Sequence, residues 1–288
     1  MDDFKEKLIA LMHYPGFTWN AVLHYLKKDP SLKMKPQYIQ QNLFSSKADT
    51  PLPSITSLQT KMIMEQIQHY EKNGIKAITV FDENYPSLLK EIYQPPWVLF
   101  AKGNLSLLEK QPKLAVVGSR QATQYGKNAI RLMFPQLVEK GVIIVSGLAA
   151  GIDTLAHEYA MKNGGNTIAV IAGGLYHIYP KENNELAREM MKTQLVVSEY
   201  PPDTKPLRWH FPARNRIISG MSNGTFIIEA KRKSGSLITA NYAVSEGREV
   251  FSLPGSIFNP YSMGTNDIIQ QGAKLVMSSE DILEELRL

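Results

Sequence analysis

An apolar run that leads directly into a glycine, a hydroxyl and a guanidinium constrains this chain more than any other stretch. Residues 113–117 are a lysine and four apolar residues, and Gly118, Ser119 and Arg120 follow. A short continuous apolar run predicts a strand that is buried on both faces, as in a parallel sheet. The apolar spacing over 125–140 then predicts a helix. A strand, a glycine turn and a helix together present backbone N–H groups to an anion. The turn is therefore a candidate oxyanion site, although the G-x-G-x-x-G pattern of dinucleotide sites is absent, and a plain turn with a surface arginine is the alternative.

Further apolar runs alternate with helical stretches. The buried strand candidates are residues 114–117, 142–145, 167–171, 195–197, 225–228, 249–253 and 274–277. Two more strand candidates, 75–81 and 98–100, precede them. Strands that alternate with helices predict an α/β fold with a doubly wound, mostly parallel sheet. In such a sheet, ligands bind at the carboxyl ends of the strands.

The first 72 residues have a helical pattern. Apolar stripes over residues 2–28 predict two helices around a Tyr-Pro-Gly-Phe segment, and residues 59–72 predict another helix after a loop at 45–58. Two helices joined by Pro-Gly are similar to helix-hairpin-helix modules, which hold DNA backbone. A small helical packing domain is the interpretation that we favour. We divide the chain into a small helical domain, 1–72, and an α/β domain, 73–288.

Composition sets limits on the class of protein. The chain has 288 residues, and 32 Lys and Arg against 27 Asp and Glu give a net charge of +5, which permits a polyanionic partner. Cysteine is absent, which excludes disulfides, thiolate catalysis and cysteine-based metal sites. The N-terminus lacks the basic start and apolar core of a signal peptide, and no apolar run has the length of a membrane span. We expect a cytoplasmic protein.

Several later turns carry the same small and polar residues. Gly147 lies in a Ser-Gly-Leu-Ala-Ala-Gly-Ile-Asp segment after the second core strand, where glycines allow close backbone approach. Lys181 and Asn183 begin a helix after the third core strand, and a lysine and an amide there can take phosphate. Ser234 and Ser236 flank a glycine at another strand-to-helix turn. A capped helix start is the alternative for the Lys181–Asn183 segment, and no single turn is specific, but their accumulation at the carboxyl ends of parallel strands indicates a ligand site there.

The segment 205–216 gives the strongest indication of the partner. It reads Lys-Pro-Leu-Arg-Trp-His-Phe-Pro-Ala-Arg-Asn-Arg, with four cations that include Arg214 and Arg216 and with two aromatic residues. Arginine interleaved with aromatic residues is typical of a surface that binds single-stranded nucleic acid, because backbone charge and base stacking both contribute. A solvated basic loop is the alternative.

The acidic residues and the histidines give little indication of a catalytic or metal site. Asp153 and His157 lie four residues apart on a predicted helix and share a face, which allows a metal pair or an acid/base pair. We favour a helix cap and a packing histidine, since no third ligand with diagnostic spacing is visible. Asp153 and Glu229 are the acids best placed for catalysis, but neither is paired with a nucleophile. We therefore expect a binding protein without a catalytic residue, a metal or a cofactor.

The motifs together resemble the DNA-processing protein A (DprA/Smf) family. The matching segments are residues 117–120, 146–153, 156–157, 167–170, 179–183, 198–201, 211–218, 229–230, 234–240, 247–250 and 254–255. The resemblance covers roughly residues 86–276, and the N-terminal residues match only in helical character.

The resemblance implies an extended Rossmann-like domain behind a small SAM-like helical domain. It also implies a single-stranded DNA-binding recombination mediator of natural transformation, which protects incoming strands and loads RecA recombinase. Gly118, Ser119, Arg120 and Lys181 would hold phosphates, and Asn183 would stand beside them. Some members carry a C-terminal winged-helix domain, which we expect this chain to lack.

Two other functions remain open. Rossmann relatives of the lysine-decarboxylase-like class cleave nucleoside monophosphates at the same strand edge, but they carry a Pro-Gly-Gly-x-Gly-Thr turn. The comparable turn here, 233–237, reads Lys-Ser-Gly-Ser-Leu. A nucleotide-sensing regulatory module is the third possibility, although the basic aromatic segment favours a polymer over a mononucleotide.

The C-terminal region is a candidate dimer interface. A short apolar helix lies next to the final strand, and a terminal strand is expected at a sheet edge that needs cover. The resemblance also implies self-association through this part of the α/β domain. We predict a homodimer whose interface includes Ile268, Ile269 and Leu275, while packing of one or two of these inside their own subunit is the alternative.

Overall fold

The computed structural model describes residues 3–14, 18–32 and 57–288. In these described ranges three helices come first, namely α1 (Asp3–Leu11), α2 (Trp19–Lys28) and α3 (Ser57–Lys72). They confirm the predicted helical N-terminal part. The Pro-Gly segment of the predicted hairpin, at residues 15–17, lies outside the described residues. The same holds for residues 45–56 of the loop predicted at 45–58, whereas residues 57–58 are helical and begin α3.

Residues 76–275 build one nine-stranded sheet. The strands are β1 (Lys76–Thr79), β2 (Val98–Gly103), β3 (Lys113–Val117), β4 (Ile143–Ser146), β5 (Thr167–Val170), β6 (Leu195–Ser198), β7 (Gly224–Ile227), β8 (Glu249–Ser252) and β9 (Lys274–Leu275). Their order across the sheet is β1-β2-β6-β5-β4-β3-β7-β8-β9. The strands from β6 to β9 in this order are parallel, whereas β2 is antiparallel to both β6 and β1. This confirms the predicted α/β fold with a mostly parallel sheet.

Helices cover both faces of the sheet. They are α4 (Ser87–Lys90), α5 (Gln124–Glu139), α6 (Ile152–Lys162), α7 (Asn184–Thr193), α8 (His210–Gly220), α9 (Gly235–Ser245), α10 (Pro260–Gln270) and α11 (Glu280–Leu286), with short 3-10 helices at Leu105–Leu108 and Lys181–Asn183. Strand β3 shows why both faces need cover. Leu114 and Val116 belong to one hydrophobic cluster with residues of α5 and α6, while Ala115 and Val117 belong to a second cluster on the other face.

The chain reverses its direction across the sheet at β3. It proceeds from β3 through β4 and β5 to β6 on one side, and then returns to place β7 on the other side of β3. The connections after β3 and β7 therefore leave in opposite directions. In doubly wound sheets this reversal opens a crevice at the carboxyl ends of the two strands.

The N-terminal helices pack against the antiparallel end of the sheet. Trp19 stacks on Trp97 with the ring centroids 5.1 Å apart and donates its indole N–H to the carbonyl of Pro95 at 2.7 Å. Tyr70 of α3 donates its hydroxyl to Asp203 at 2.9 Å. These contacts join the two parts of the chain, and the division into domains 1–72 and 73–288 stays a prediction. Within the described ranges, no helix is long and apolar enough to cross a membrane.

The C-terminal edge of the sheet corrects part of the predicted interface. Strand β9 lies at the edge, as predicted, but its two residues are fewer than the predicted 274–277. Ile268 is 9% exposed and belongs to the hydrophobic core of its own subunit, so it is not available to a partner. Ile269 is half-buried, while Leu275 is 39% and Met277 72% exposed. The apolar surface at this edge is therefore centred on Leu275 and Met277.

Candidate functional site

A cleft of about 840 Å³ lies where β3 and β7 meet, at their carboxyl ends. The turns after β3 and β7 form its two sides, and the first turns of α8 and α10 complete it. Six of the predicted site residues line this cleft or its neighbouring turns: Gly118, Ser119, Arg120, Arg214, Ser234 and Ser236. The structure therefore brings together residues that lie up to 118 positions apart along the chain.

The turn after β3 is held by local hydrogen bonds. The Ser119 hydroxyl accepts from the backbone N–H of Gln121 at 3.0 Å and donates to the Gln121 carbonyl at 3.1 Å. Gly151 has a positive φ of 82°, and a Cβ there would lie 2.3 Å from the Ser119 carbonyl oxygen. These constraints fix the backbone that carries Arg120. The exposed Arg120 guanidinium lies 5.7 Å from the ring centroid of Phe211.

Arg214 is a buried structural cation below the cleft. Its side chain is 5% exposed, and Nη1 donates to the carbonyls of Gly147 and Val170, each at 2.5 Å. These carbonyls follow β4 and end β5, so Arg214 ties two strand ends together. Burial lowers the pKa of Arg214 to about 10, which leaves it charged at neutral pH.

Asp153 lies buried near Arg214, at the start of α6. Burial raises the pKa of Asp153 to about 6, although Arg214, the backbone N–H groups of Ala149 and Gly147, and Arg120 favour its ionised form. Its carboxylate accepts from the Ala149 N–H at 3.4 Å. The charged form therefore becomes dominant close to neutral pH.

The cleft has a strong excess of positive charge. Its described lining contains six cations, namely Arg120, Arg208, Arg214, Lys231, Arg232 and Lys233, and one acid, Asp153. Arg232 is neutralised by Asp267, to which it donates at 2.7 and 3.2 Å. The Lys231 ammonium lies 4.5 Å from the ring centroid of Tyr261. Since Arg120, Arg208, Lys231 and Lys233 are exposed, these four can reach an anionic ligand.

The start of α9 adds hydrogen-bond donors to this cleft. Ser234 precedes the helix, but its hydroxyl makes no capping bond and instead lies 2.7 Å from the hydroxyl of Ser236. Asn215 donates to the Gly235 carbonyl at 3.2 Å and so fixes the turn against α8. The N–H groups at a helix start attract anions. This end of the cleft can therefore bind a phosphate without a further cation.

The structure places the other predicted residues outside the cleft. Gly147 lines an adjoining pocket of about 80 Å³, which shares Arg120, Tyr179 and Phe211 with the lining of the cleft. Lys181 is exposed and follows Pro180, which lines this small pocket. Both residues lie at the border of the site.

Asn183 and Arg216 have structural contacts instead. Asn183 is 7% exposed and donates to the Leu148 carbonyl and to the Thr154 hydroxyl, each at 2.9 Å. Arg216 donates to Glu199 at 2.5 Å, and both side chains are largely buried. The structure therefore does not support a direct ligand contact for either residue.

The acids and the histidine that we considered for catalysis are also engaged. His157 is buried with Nδ1 2.7 Å from the Thr167 hydroxyl, and that hydroxyl donates to the Ile144 carbonyl. The imidazole Nδ1 must then donate to Thr167, and burial lowers the pKa of His157 to about 3, so the ring is neutral. Glu229 accepts from the backbone N–H and the hydroxyl of Thr123 at the start of α5. Of the residues that can be described, no group of three or more His, Asp or Glu could hold a metal ion.

Sequence reasoning did not select some of the lining residues as site residues. Arg208 and Phe211 lie in the basic aromatic segment that we singled out, and Lys231 and Lys233 lie within the three residues before Ser234, so the signal for these four was present. Tyr261 carries no local signal. It reaches the cleft because α10 follows β8, the neighbour of β7.

Comparison with known proteins identifies the family. A family model of DNA recombination-mediator protein A matches residues 76–287. The DNA processing protein DprA of Bacillus subtilis is 46% identical over 267 residues, which are 93% of this chain and 90% of that protein. The chain belongs to the DNA recombination-mediator protein A family.

Solved structures of this DNA recombination-mediator family agree with the fold. The X-ray structure of DNA processing protein A from Streptococcus pneumoniae superimposes with a TM-score of 0.81 at 41% identity and covers 97% of each chain. DNA processing protein A from Helicobacter pylori superimposes with a TM-score of 0.67 at 32% identity, over 74% of this chain and 95% of that one. The structure of the Helicobacter pylori protein concerns its single-stranded DNA binding mode.

Proposed function

We propose that this protein binds single-stranded DNA in the basic cleft and acts as a recombination mediator of natural transformation. The observation that carries the proposal is the charge of the cleft, whose described lining has six cations and one acid, and four of the cations, Arg120, Arg208, Lys231 and Lys233, can reach an anionic ligand. A groove with such an excess attracts a polyanion, because binding releases counterions from the phosphates. The cleft also lies at the switch point of the sheet, where this fold class binds its ligands.

Aromatic side chains at the cleft favour a single strand over a duplex. Tyr179 is 54% exposed and packs edge-on against Phe211 at 5.6 Å, and Trp209 is 67% exposed in the same basic aromatic segment. Unpaired bases stack on such rings, whereas the bases of a duplex are already stacked inside it. We assign the phosphates to Arg120, Lys231 and the start of α9, with Lys181 at the border.

Related proteins support this assignment. The described binding mode of the Helicobacter pylori relative concerns single-stranded DNA, and the family is named for recombination mediation. We infer that this protein protects incoming strands in the cytoplasm and loads RecA recombinase onto them. Addition of the protein should therefore raise the RecA ATPase rate on strands that are covered by a single-strand-binding protein, and an unchanged rate would refute the loading role.

We infer a binding role without catalysis. Glu229 caps α5 through Thr123, and Asp153 is buried against Arg214, so neither carboxylate is positioned to activate a water or a nucleophile. The turn at 233–237 also lacks the glycine run of nucleoside monophosphate hydrolases.

We also propose a two-fold dimer through the β9 edge. Leu275 and Met277 expose apolar surface there, and the short β9 leaves strand edge uncovered. A two-fold axis would bury the same patch on both subunits. One long strand would then contact two clefts and gain affinity without new contacts within either cleft.

Parallel titrations with single-stranded DNA, duplex DNA and deoxythymidine monophosphate test the proposed function. We expect the tightest binding for the single strand and no turnover of either the strand or the mononucleotide. Preference for the mononucleotide, with release of its base, would instead establish the hydrolase. Loss of that turnover in Asp153→Asn or Glu229→Gln would assign the responsible acid.

A further inference from the structure

Two adjacent apolar side chains are exposed on the loop that follows β8. Ile257 is 73% exposed and Phe258 is 88% exposed, the highest exposure among the large apolar residues of the described chain. We propose that these two residues form a stacking platform for bases of the same single strand, outside the cleft. The inference rests on the proposed function and adds a contact that the cleft itself does not contain.

Strand order places this platform beside the cleft. The strands β3, β7, β8 and β9 are adjacent and parallel, so their carboxyl ends follow one another along one edge of the sheet. The turn after β7 forms the cleft, and the loop after β8 comes next toward the β9 edge. Tyr261, which lines the cleft, is three residues from Phe258, so their Cα atoms lie within about 11 Å. A strand that leaves the cleft toward the β9 edge must cross this loop.

Hydrogen bonds fix the loop backbone. Asn266 donates to the Gly255 carbonyl at 2.9 Å and accepts from the Gly255 N–H at 3.1 Å. The Tyr125 hydroxyl donates to the Pro254 carbonyl at 2.5 Å, and the Phe258 N–H donates to the Ser256 hydroxyl at 3.2 Å. The two apolar side chains are thus presented to solvent on a backbone that is already ordered. A preorganised surface loses less conformational freedom when it binds a ligand.

The chemistry of the loop selects bases rather than phosphates. Residues 252–265 contain no charged side chain, whereas Lys231, beside Tyr261, supplies a cation at the cleft. The face of Phe258 can stack on any base, and Ile257 extends the apolar surface. A charged cleft followed by an uncharged aromatic surface matches a single strand, which offers both phosphates and free base faces.

Binding of Phe258→Ala to thymidine oligonucleotides tests the platform. A long oligonucleotide should bind about fivefold more weakly than to the wild type, because one stacked base is lost. The salt dependence should stay unchanged, since no phosphate contact is removed. A short oligonucleotide that only fills the cleft should bind both proteins equally. The matched control is Tyr93→Ala, since Tyr93 is an aromatic residue with 80% exposure in the segment before β2.

A strand of the same length whose backbone lacks bases separates stacking from other effects. On this abasic strand the wild type and Phe258→Ala should bind equally. Equal binding of the two proteins to the long thymidine strand would overturn the inference, and a protein partner would then be the candidate for this platform. A loss that persists on the abasic strand would overturn it as well. If the wild type bound no single-stranded DNA, the proposed function itself would fail, which is a distinct result.

Discussion

The substitution Gly147→Ala tests how the floor of the site is built. A Cβ at Gly147 would lie 2.1 Å from Nη1, 2.5 Å from Cζ and 2.6 Å from Nη2 of Arg214. These atoms form a buried guanidinium whose Nη1 donates to the carbonyls of Gly147 and Val170. The guanidinium cannot yield without a change in these bonds, so a single methyl group should displace it.

The expected loss of stability follows from those two bonds. A hydrogen bond from a charged group contributes about 1.5–3 kcal/mol, so loss of one or both costs about 1.5–6 kcal/mol. Because the turn can relax in part, we expect a loss of stability in the lower half of this range, at about 3 kcal/mol. For a chain of this size, 1 kcal/mol shifts Tm by about 2–4 °C, so Tm should fall by about 6–12 °C.

Urea and thermal unfolding measure this loss, and the same cleft offers a matched control. Gly235 also lines the cleft, but a Cβ there meets no atom within 4 Å, and its φ lies outside the left-handed region. Gly235→Ala should therefore leave the free energy of unfolding within about 1 kcal/mol of the wild type. Equal stability of Gly147→Ala and Gly235→Ala would refute the role assigned to Arg214.

Three further predictions concern pH, an internal ion pair and assembly. The folded pKa of Asp153, about 6, exceeds its ordinary value of 3.8, so its contribution to stability is full below pH 3.8 and is lost as pH rises through 6. Protonation of Asp153 also removes a negative charge from the cleft, so the affinity for a thymidine strand should rise from pH 7 to 5, and it should rise less in Asp153→Asn. Identical pH profiles of binding for the two proteins would contradict this. Arg216→Ala should lower the free energy of unfolding in urea by about 3–5 kcal/mol, because it leaves Glu199 buried without its partner. The salt dependence of DNA binding should stay unchanged, and a changed dependence would indicate that Arg216 contacts DNA. Met277→Glu should give monomers in light scattering that bind short strands normally and long strands weakly, and a wild type that stays monomeric would defeat the dimer.

The central strand and its turn were predictable because their signal is local. Four apolar residues before Gly118 specify a strand buried on both faces, and β3 has this environment. The turn after it is polar and faces the crevice, which follows from the fold class alone. The clustering of the turn residues after β3 and β7 therefore follows from strand ends and composition, namely that of Gly118, Ser119, Arg120, Ser234 and Ser236.

The two arginines of the basic aromatic segment show where composition fails. We considered a DNA-binding surface or a solvated loop for 205–216, but its second part, 210–216, lies in α8 (His210–Gly220). Residues two apart on a helix point about 200° apart, so Arg214 and Arg216 cannot face the same side. Arg214 lies below the cleft, while Arg216 pairs with Glu199 on another side of α8. Their separate roles depend on the helix, which composition does not reveal.

Asn183 and Phe258 depend on distant parts of the chain. Asn183 donates to groups 29 and 35 residues away, so its structural role has no local pattern. The position of Phe258 beside the cleft depends on the strand order β3-β7-β8-β9. The sequence pattern is equally compatible with several other strand orders. The sequence shows residue types and local periodicity, whereas these contacts require the topology.

The salt dependence of single-stranded DNA binding by Arg120→Ala tests the central claim most directly. Arg120 is exposed at the cleft, and its loss should weaken binding of a thymidine strand by about 1–3 kcal/mol. The slope of log K against log salt should decrease in magnitude by about 0.7, the value for one phosphate of a single strand. Arg188→Ala, which removes an exposed cation on α7 away from the cleft, should change neither quantity. A folded Arg120→Ala protein with the affinity and slope of the wild type would contradict binding of the strand in this cleft.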